Sequence, residues 1–275
     1  MLAALIIVFR EVFEAGLIVG IVMAVTRGVH RHGLWVAGGV LGGAAGACVV
    51  AVFAGALSSA FAGVGQELFN ATILAIAVVM LTWHNVWMSR HGREIAAEMR
   101  AAGEAVARGS KSLAALAVVV GVAVLREGVE VVLFLYGIVV SEGGMNISIF
   151  AGGLGGLVLG GLVCLLTYVG FLQIPVRHLF TVTSAMIAFL AAGMAAQSTA
   201  FLEQANVVTA LGHTVWDTSR FLSDTSLVGR ALHTLIGYTS QPTAMELVVY
   251  LITLAVIWAL MRLVAAAPAP QTQSS

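Results

Sequence analysis

Residues 2–25 read LAALIIVFREVFEAGLIVGIVMAV. An apolar helix of about 20 residues crosses the ~30 Å hydrocarbon core of a bilayer, so this stretch has the length of a membrane span. Arg10, Glu11 and Glu14 nevertheless stand near its middle. No basic run precedes it and charges interrupt it, which argues for a retained first helix over a cleaved signal peptide. An ionised group at that depth costs about 2.5–3.5 kcal/mol on insertion scales, so the helix has to turn these residues toward protein or a hydrated cavity.

The rest of the chain has the same character. Of its 275 residues, 60% are hydrophobic and 9% charged, against roughly 25% charged in a soluble domain. The formal net charge is zero, which gives no electrostatic case for nucleic acid or an acidic partner. Further apolar runs lie near 34–57, 66–89, 112–140, 147–171, 178–200 and 244–263, so the expected fold is an all-α polytopic membrane protein with seven spans. With the N-terminus outside, the inner segments hold Arg27, Arg31, Arg90, Arg93, Arg100, Arg108, Lys111, Arg177 and Arg262, and the outer segments only Arg220 and Arg230. The positive-inside rule therefore puts the N-terminus outside and the C-terminus in the cytoplasm. Cys48 and Cys164 fall in apolar runs and read as small packing residues.

The two halves of the chain repeat. Phe9-Arg10-Glu11-Val12-Phe13-Glu14 returns as Leu125-Arg126-Glu127-Gly128-Val129-Glu130. Ala37-Gly38-Gly39 matches Ala151-Gly152-Gly153, Cys48 matches Cys164, and Leu68-Phe69 with Thr72 matches Leu179-Phe180 with Thr183. Three spans per unit is an odd number, so the second unit enters upside down, giving two inverted three-helix repeats plus one extra C-terminal helix. Repeat one covers about 2–89 and repeat two about 112–200, followed by an outer loop at 201–243 and a seventh helix at about 244–263. Together these form a single transmembrane domain over 1–265, with a disordered tail at 266–275. Gly38/Gly42/Gly46 and Gly152/Gly156/Gly160 have the small-xxx-small spacing of close helix packing.

Each Arg lies one helical turn before the second Glu of its motif, within pairing reach. Four glutamates and two arginines leave an excess of two negative charges if all are ionised. A buried clamp of ion pairs is one reading; a cation path lined by Glu11, Glu14, Glu127 and Glu130 is the other, and a divalent cation would neutralise the excess. Neither motif contains Cys or His, and carboxylate oxygens suit hard cations such as ferric iron, manganese or magnesium. A proton-coupled transporter or exchanger of another cation or small solute could use the same glutamates. No nucleophile–base pair or Walker A motif points to an enzyme or to direct ATP drive.

The doubled Arg-Glu-x-x-Glu motif resembles the oxidase-dependent iron permease family, and the likeness runs over nearly the whole chain. Leu81-Thr82-Trp83-His84, the segment Trp87-Met88-Ser89-Arg90-His91-Gly92-Arg93-Glu94, Phe201-Leu202-Glu203-Gln204-Ala205 and Val215-Trp216-Asp217-Thr218 are similar to its bacterial branch. Val12-Phe13 stands where the family often has Gly-Leu. The resemblance implies a permease of the cell membrane, the inner membrane in bacteria. Iron is its transported substrate and no cofactor is permanently bound. Ferric iron, made outside by an oxidase partner, passes Glu11, Glu14, Glu127 and Glu130, with Arg10 and Arg126 shaping the site. Implied partners are periplasmic iron-binding and haem-peroxidase proteins in bacteria, or a multicopper oxidase in fungi.

Further pathway candidates are Glu67 at the outer start of span three, His178 at the inner end of span six as its repeat counterpart, and Asp217 in the outer loop. Capping or interfacial roles fit Glu67 as well as a pathway role does, and fit His178 better. Glu203, His213, Asp224 and His233 leave the outer loop open to receiving iron, docking a partner or lying on the membrane. Trp83, His84 and Trp87 read as an interfacial belt, and 90–111 as a surface helix.

Overall fold

A computed structural model describes residues 1–60, 65–170, 176–224 and 226–266. The order is α1 (Leu2–Val25), α2 (His32–Ala60), α3 (Gln66–Ala107), α4 (Leu113–Ser141), α5 (Ile147–Val169), α6 (Val176–Gln204), α7 (Leu227–Ile236) and α8 (Ala244–Ala266). No strand occurs among the described residues; the one extended pairing is an isolated bridge between Thr214 and Thr243. The tail expected to be disordered lies, from 267 onward, outside the described residues.

Local chemistry sets the helix ends. Ser112 caps α4 by accepting from Ala115 N at 3.2 Å, and Asn146 caps α5 by accepting from Ser148 N at 3.0 Å, each satisfying a donor the first turn leaves free. Gly170 ends α5 in the left-handed region at φ 84°, where a side chain would be strained. The expected spans match the observed helices within a few residues, with one difference. The segment 90–111 is not a separate surface helix: α3 continues through it as one 42-residue helix to Ala107. At 1.5 Å per residue it is about 63 Å long, twice the hydrocarbon thickness.

The molecule is inside-out relative to a soluble protein. Its exposed surface carries Leu41, Val52 and Phe53 on α2, Leu157 and Leu165 on α5, and Leu251, Ile252 and Trp258 on α8, while Arg10, Glu11, Glu14, His84 and Glu127 are buried. Five helices (α2, the first half of α3, α5, α6 and α8) are long and apolar enough to cross a membrane. α1 and α4, of 24 and 29 residues, are equally apolar except for their three ionisable residues each. This is an integral membrane protein. Its apolar core joins Ala4 and Ile7 of α1, Leu74, Ala77 and Leu81 of α3, Phe134 and Ile138 of α4, and Ile187 and Met194 of α6.

The two motif helices are each gripped by a glycine helix from the other half. α1 lies along α5 and α4 along α2. A Cβ added at Gly156 would stand 2.6 Å from Leu5 O and 2.8 Å from Phe9 N; one added at Gly43 would stand 2.6 Å from Gly121 O and 2.9 Å from Leu125 N. These backbones touch because no side chain intervenes. Leu5 to Gly121 and Phe9 to Leu125 are each 116 positions, the separation of the two Arg-Glu motifs. Gly152, Gly156 and Gly160 pack as the spacing suggested, as does Gly46 against Leu125, but Gly38 and Gly42 face open space and the contact row is Gly39, Gly43 and Gly46. Doubled glycines offer two rows, and the packing uses the other one.

α3 and α6 are joined by two hydrogen bonds of matching form: Asn85 Nδ2 donates to Ser184 O at 3.0 Å, and Ser198 Oγ donates to Ala71 O at 2.8 Å. Asn85 and Ser198 are 113 positions apart, as are Ala71 and Ser184. Cys164 packs into the groove at Gly16, with Sγ 3.4 Å from Phe13 O, whereas Cys48 is exposed on α2 rather than packed.

Candidate metal-ion site

The charged motifs meet at the centre of the bundle, where α1, α3 and α4 come together. Glu11, Arg10 and Glu14 are 0%, 1% and 2% exposed, and Glu127 is 3% exposed. On α1, Arg10 Nε lies 2.9 Å from Glu14 Oε1, and Arg10 Nη1 donates to Glu11 Oε1 at 3.5 Å. On α4, Arg126 Nε donates to Glu130 Oε1 at 3.2 Å and lies 4.0 Å from Glu127 Oε1. Both arginines thus pair one turn ahead, as the spacing required. Their surroundings differ: Arg10 is sealed in, while the Arg126 side chain is 38% exposed with its guanidinium 4.4 Å from the Trp87 ring centroid.

His84 enters this cluster from α3. Its Nδ1 lies against Glu130 Oε2, and its Nε2 is 3.8 Å from Glu11 Oε2 and 3.7 Å from Glu14 Oε2. The edge-on ring of Phe134 backs the imidazole at a centroid distance of 6.3 Å. The interfacial-belt reading is therefore overturned for His84, which is 4% exposed, whereas Trp83, 73% exposed, points away from the bundle. Successive helix residues point about 100° apart, so the two neighbours face opposite environments. The signal was available: His84 and Asn85 are adjacent polar residues within an otherwise apolar run, and an intramembrane ionisable residue is a site candidate by default.

Donor atoms of Glu11, His84, Glu127 and Glu130 all lie within 4.8 Å of one another. Glu14 stands at the edge of this group, with one oxygen on Arg10 and the other toward His84. Glu11 Oε2, Glu14 Oε2, Glu127 Oε2 and His84 Nε2 are buried without a hydrogen-bond partner, while Glu130 Oε2 has His84 Nδ1 against it. Buried acceptors normally find donors. Carboxylate oxygens left without donors in one buried cluster are satisfied better by a cation than by any single donor.

The other candidates lie apart from the cluster. Glu67 is exposed in the first turn of α3, and the side chain of His178 lies outside the described residues. Asp217 is exposed and accepts from Ser219 N at 3.0 Å and Ser219 Oγ at 2.6 Å; these bonds hold its carboxyl below the usual carboxylate range. The remaining polar residues of 201–243 tie the segment together. Glu203 accepts from Thr243 Oγ1 at 3.1 Å, Asp224 accepts from Ser240 N at 2.9 Å, and His233 Nδ1 donates to Tyr238 O at 2.8 Å. His213 is exposed.

The sequence model of the iron permease FTR1 family matches residues 1–269. The chain belongs to this family. It is 32% identical over 258 residues to the ferrous iron permease EfeU of Escherichia coli O6:K15:H31, covering 92% of each chain. It is also 32% identical over 259 residues to the ferrous iron permease EfeU of Yersinia pestis, covering 92% of this chain and 90% of that one. A relative from Escherichia coli K12, 31% identical over 259 residues, bears a name that describes it as inactive, so overall likeness does not by itself carry transport. No solved structure matches the chain. The family member described here is a membrane permease, not an enzyme.

Proposed function

We propose that this permease moves iron across the cell membrane through a midplane site built from Glu11, Glu14, Glu127 and Glu130, with Arg10 and Arg126 setting its charge. The observation that carries the reading is the convergence of Glu11, Glu127 and Glu130 from two helices into one buried pocket with unpartnered oxygens. Burying one-sided charge is unfavourable, and a clamp made only to hold α1 against α4 would be served better by apolar side chains. A passing cation would offset the negative excess that the four carboxylates hold over the two guanidiniums when all are ionised. Iron is the substrate and no resident cofactor is required. In this reading ferric iron is supplied by an external oxidase partner, together with periplasmic or extracellular iron-binding proteins.

In the same reading α1 and α4 join the five apolar helices as spans, making seven in a single domain over 1–265, and two inverted three-helix repeats surround the site. Support comes from the recurrence of the Gly156 contacts at Gly43 and of the Asn85 hydrogen bond at Ser198. The arginines at the ends of the spans orient the N-terminus outward and the C-terminus toward the cytoplasm, across the inner membrane of a bacterium.

The test is uptake of radioactive iron into proteoliposomes. Wild type should transport with metal saturation, while Glu11→Gln and Glu127→Gln should lose most of the rate at unchanged membrane abundance. Wild-type rates in both variants would remove the site. Proton-coupled flux of another solute, without iron saturation, would favour an exchanger that uses the same glutamates.

A further inference from the structure

We propose that His84 is the nitrogen ligand of the ion path, and that it lets the site separate iron from magnesium and manganese. This rests on the reading of the glutamate cluster as that path. Carboxylates alone do not make the distinction, since oxygen ligands suit magnesium, manganese and ferric iron alike. An imidazole does, because it suits iron as a ligand, and for divalent ions the affinity of mixed nitrogen and oxygen sites rises from manganese to ferrous iron.

The geometry assigns this role to one atom. His84 is 4% exposed, and its Nε2 has no hydrogen-bond partner. That atom is aimed between Glu11 Oε2 at 3.8 Å and Glu14 Oε2 at 3.7 Å. Its other nitrogen, Nδ1, faces Glu130 Oε2. An ionised carboxylate only accepts, so Nδ1 carries the hydrogen toward Glu130, and a cation seated between Glu11 and Glu14 would take the Nε2 lone pair in place of any proton there. A histidine held by a carboxylate through one nitrogen and free at the other is the arrangement that orients metal-binding imidazoles and raises their basicity.

Size agrees. The four donors lie within 4.8 Å of one another, whereas an ion about 2.1 Å from each donor leaves opposed donors about 4.2 Å apart. Rotamer shifts of roughly half an ångström close the gap, so the backbone can stay in place. α3 also holds His84 rigidly: Asn85, the next residue, is anchored on Ser184 O of α6.

The test uses the full-length chain in detergent and in proteoliposomes. With one equivalent of Mn²⁺ as the spectroscopic probe, pulsed EPR of wild type should show hyperfine coupling to a directly bound nitrogen, and His84→Gln should lose it. Iron affinity in the variant should fall about 10-fold or more, on the scale typical of losing a supporting ligand. Excess Mg²⁺ or Mn²⁺ should then suppress its iron uptake at correspondingly lower concentration. His84→Asn serves as a second variant should the glutamine form fold poorly. Absence of nitrogen coupling in wild type, its persistence in either variant, or unchanged competition by Mg²⁺ and Mn²⁺ would each overturn the proposal. Glu127→Gln keeps the two readings apart: if it loses iron uptake while His84→Gln keeps wild-type selectivity, the cluster stands and the nitrogen ligand falls.

Discussion

Replacing Gly43 by alanine tests whether backbone contact between the two halves of the chain holds the site together. A Cβ there would lie 2.6 Å from Gly121 O and 2.9 Å from both Leu125 N and Val124 Cβ, where ordinary contact begins at 3.4 Å. α2 and α4 must therefore part by about 0.5–0.8 Å, and overpacking of this kind costs about 1–3 kcal/mol. Alanine also favours the helix over glycine by about 1 kcal/mol, which would mask part of the loss. Gly42 supplies the control, since it is the adjacent helical position and has nothing within 4 Å. The propensity gain is common to both, so Gly43→Ala should be less stable than Gly42→Ala by about 1–3 kcal/mol. Leu125 immediately precedes Arg126 and Glu127, so iron uptake should fall with Gly43→Ala and hold with Gly42→Ala. Thermal or SDS-induced unfolding of the purified chain in detergent measures the first difference and proteoliposome uptake the second. Equal stability of the two variants would refute the close-packing argument.

Arg10→Met leaves Glu11 and Glu14 buried without their cation, and should cost about 3–5 kcal/mol in the same unfolding assay. Arg126→Gln removes one partner of Glu130 but leaves His84 Nδ1 against its other oxygen, so it should cost less than Arg10→Met in the same assay. Ser198→Ala and Asn85→Ala each remove one α3–α6 hydrogen bond; each loss should be about 0.5–1.5 kcal/mol for the bond itself. Ser226 caps α7 by accepting from Gly229 N at 2.9 Å, so Ser226→Ala should weaken that helix by about 1 kcal/mol and speed amide exchange across 227–236.

Much of the fold was legible because the bilayer restricts the choices. A long apolar run has to be a helix there, and Arg10, Glu11 and Glu14 inside one have to be turned inward. Their pairing and their meeting with Glu127 and Glu130 follow from that. What escaped the sequence depended on rotation and register. Gly38-Gly39 and Gly42-Gly43 present two equivalent small rows, and only the packing against Ala117 and Gly121 selects one. His84 stands between Trp83 and two further aromatic or polar neighbours, and only the rotation of α3 shows that it faces Glu11 while Trp83 faces outward. The run of α3 to Ala107 was hidden because its polar second half resembles a loop segment in composition. It nonetheless contains no Pro and only two separated glycines, Gly92 and Gly103, each a cost of about 1 kcal/mol that a helix tolerates.

The grip of α5 on α1 also constrains how the chain is made. Between the end of α1 at Val25 and the start of α5 at Ile147 lie about 120 residues, or roughly 6–24 s of synthesis at 5–20 residues per second. At the start of that interval the glutamates and arginine of α1 have none of their partners; His84 and then α4 are made within it, and α5 only after it. The insertion machinery, or water at its lateral opening, has to shelter those charges until the second half arrives. The early helices of this permease therefore wait on its late ones, and membrane integration cannot proceed one finished helix at a time.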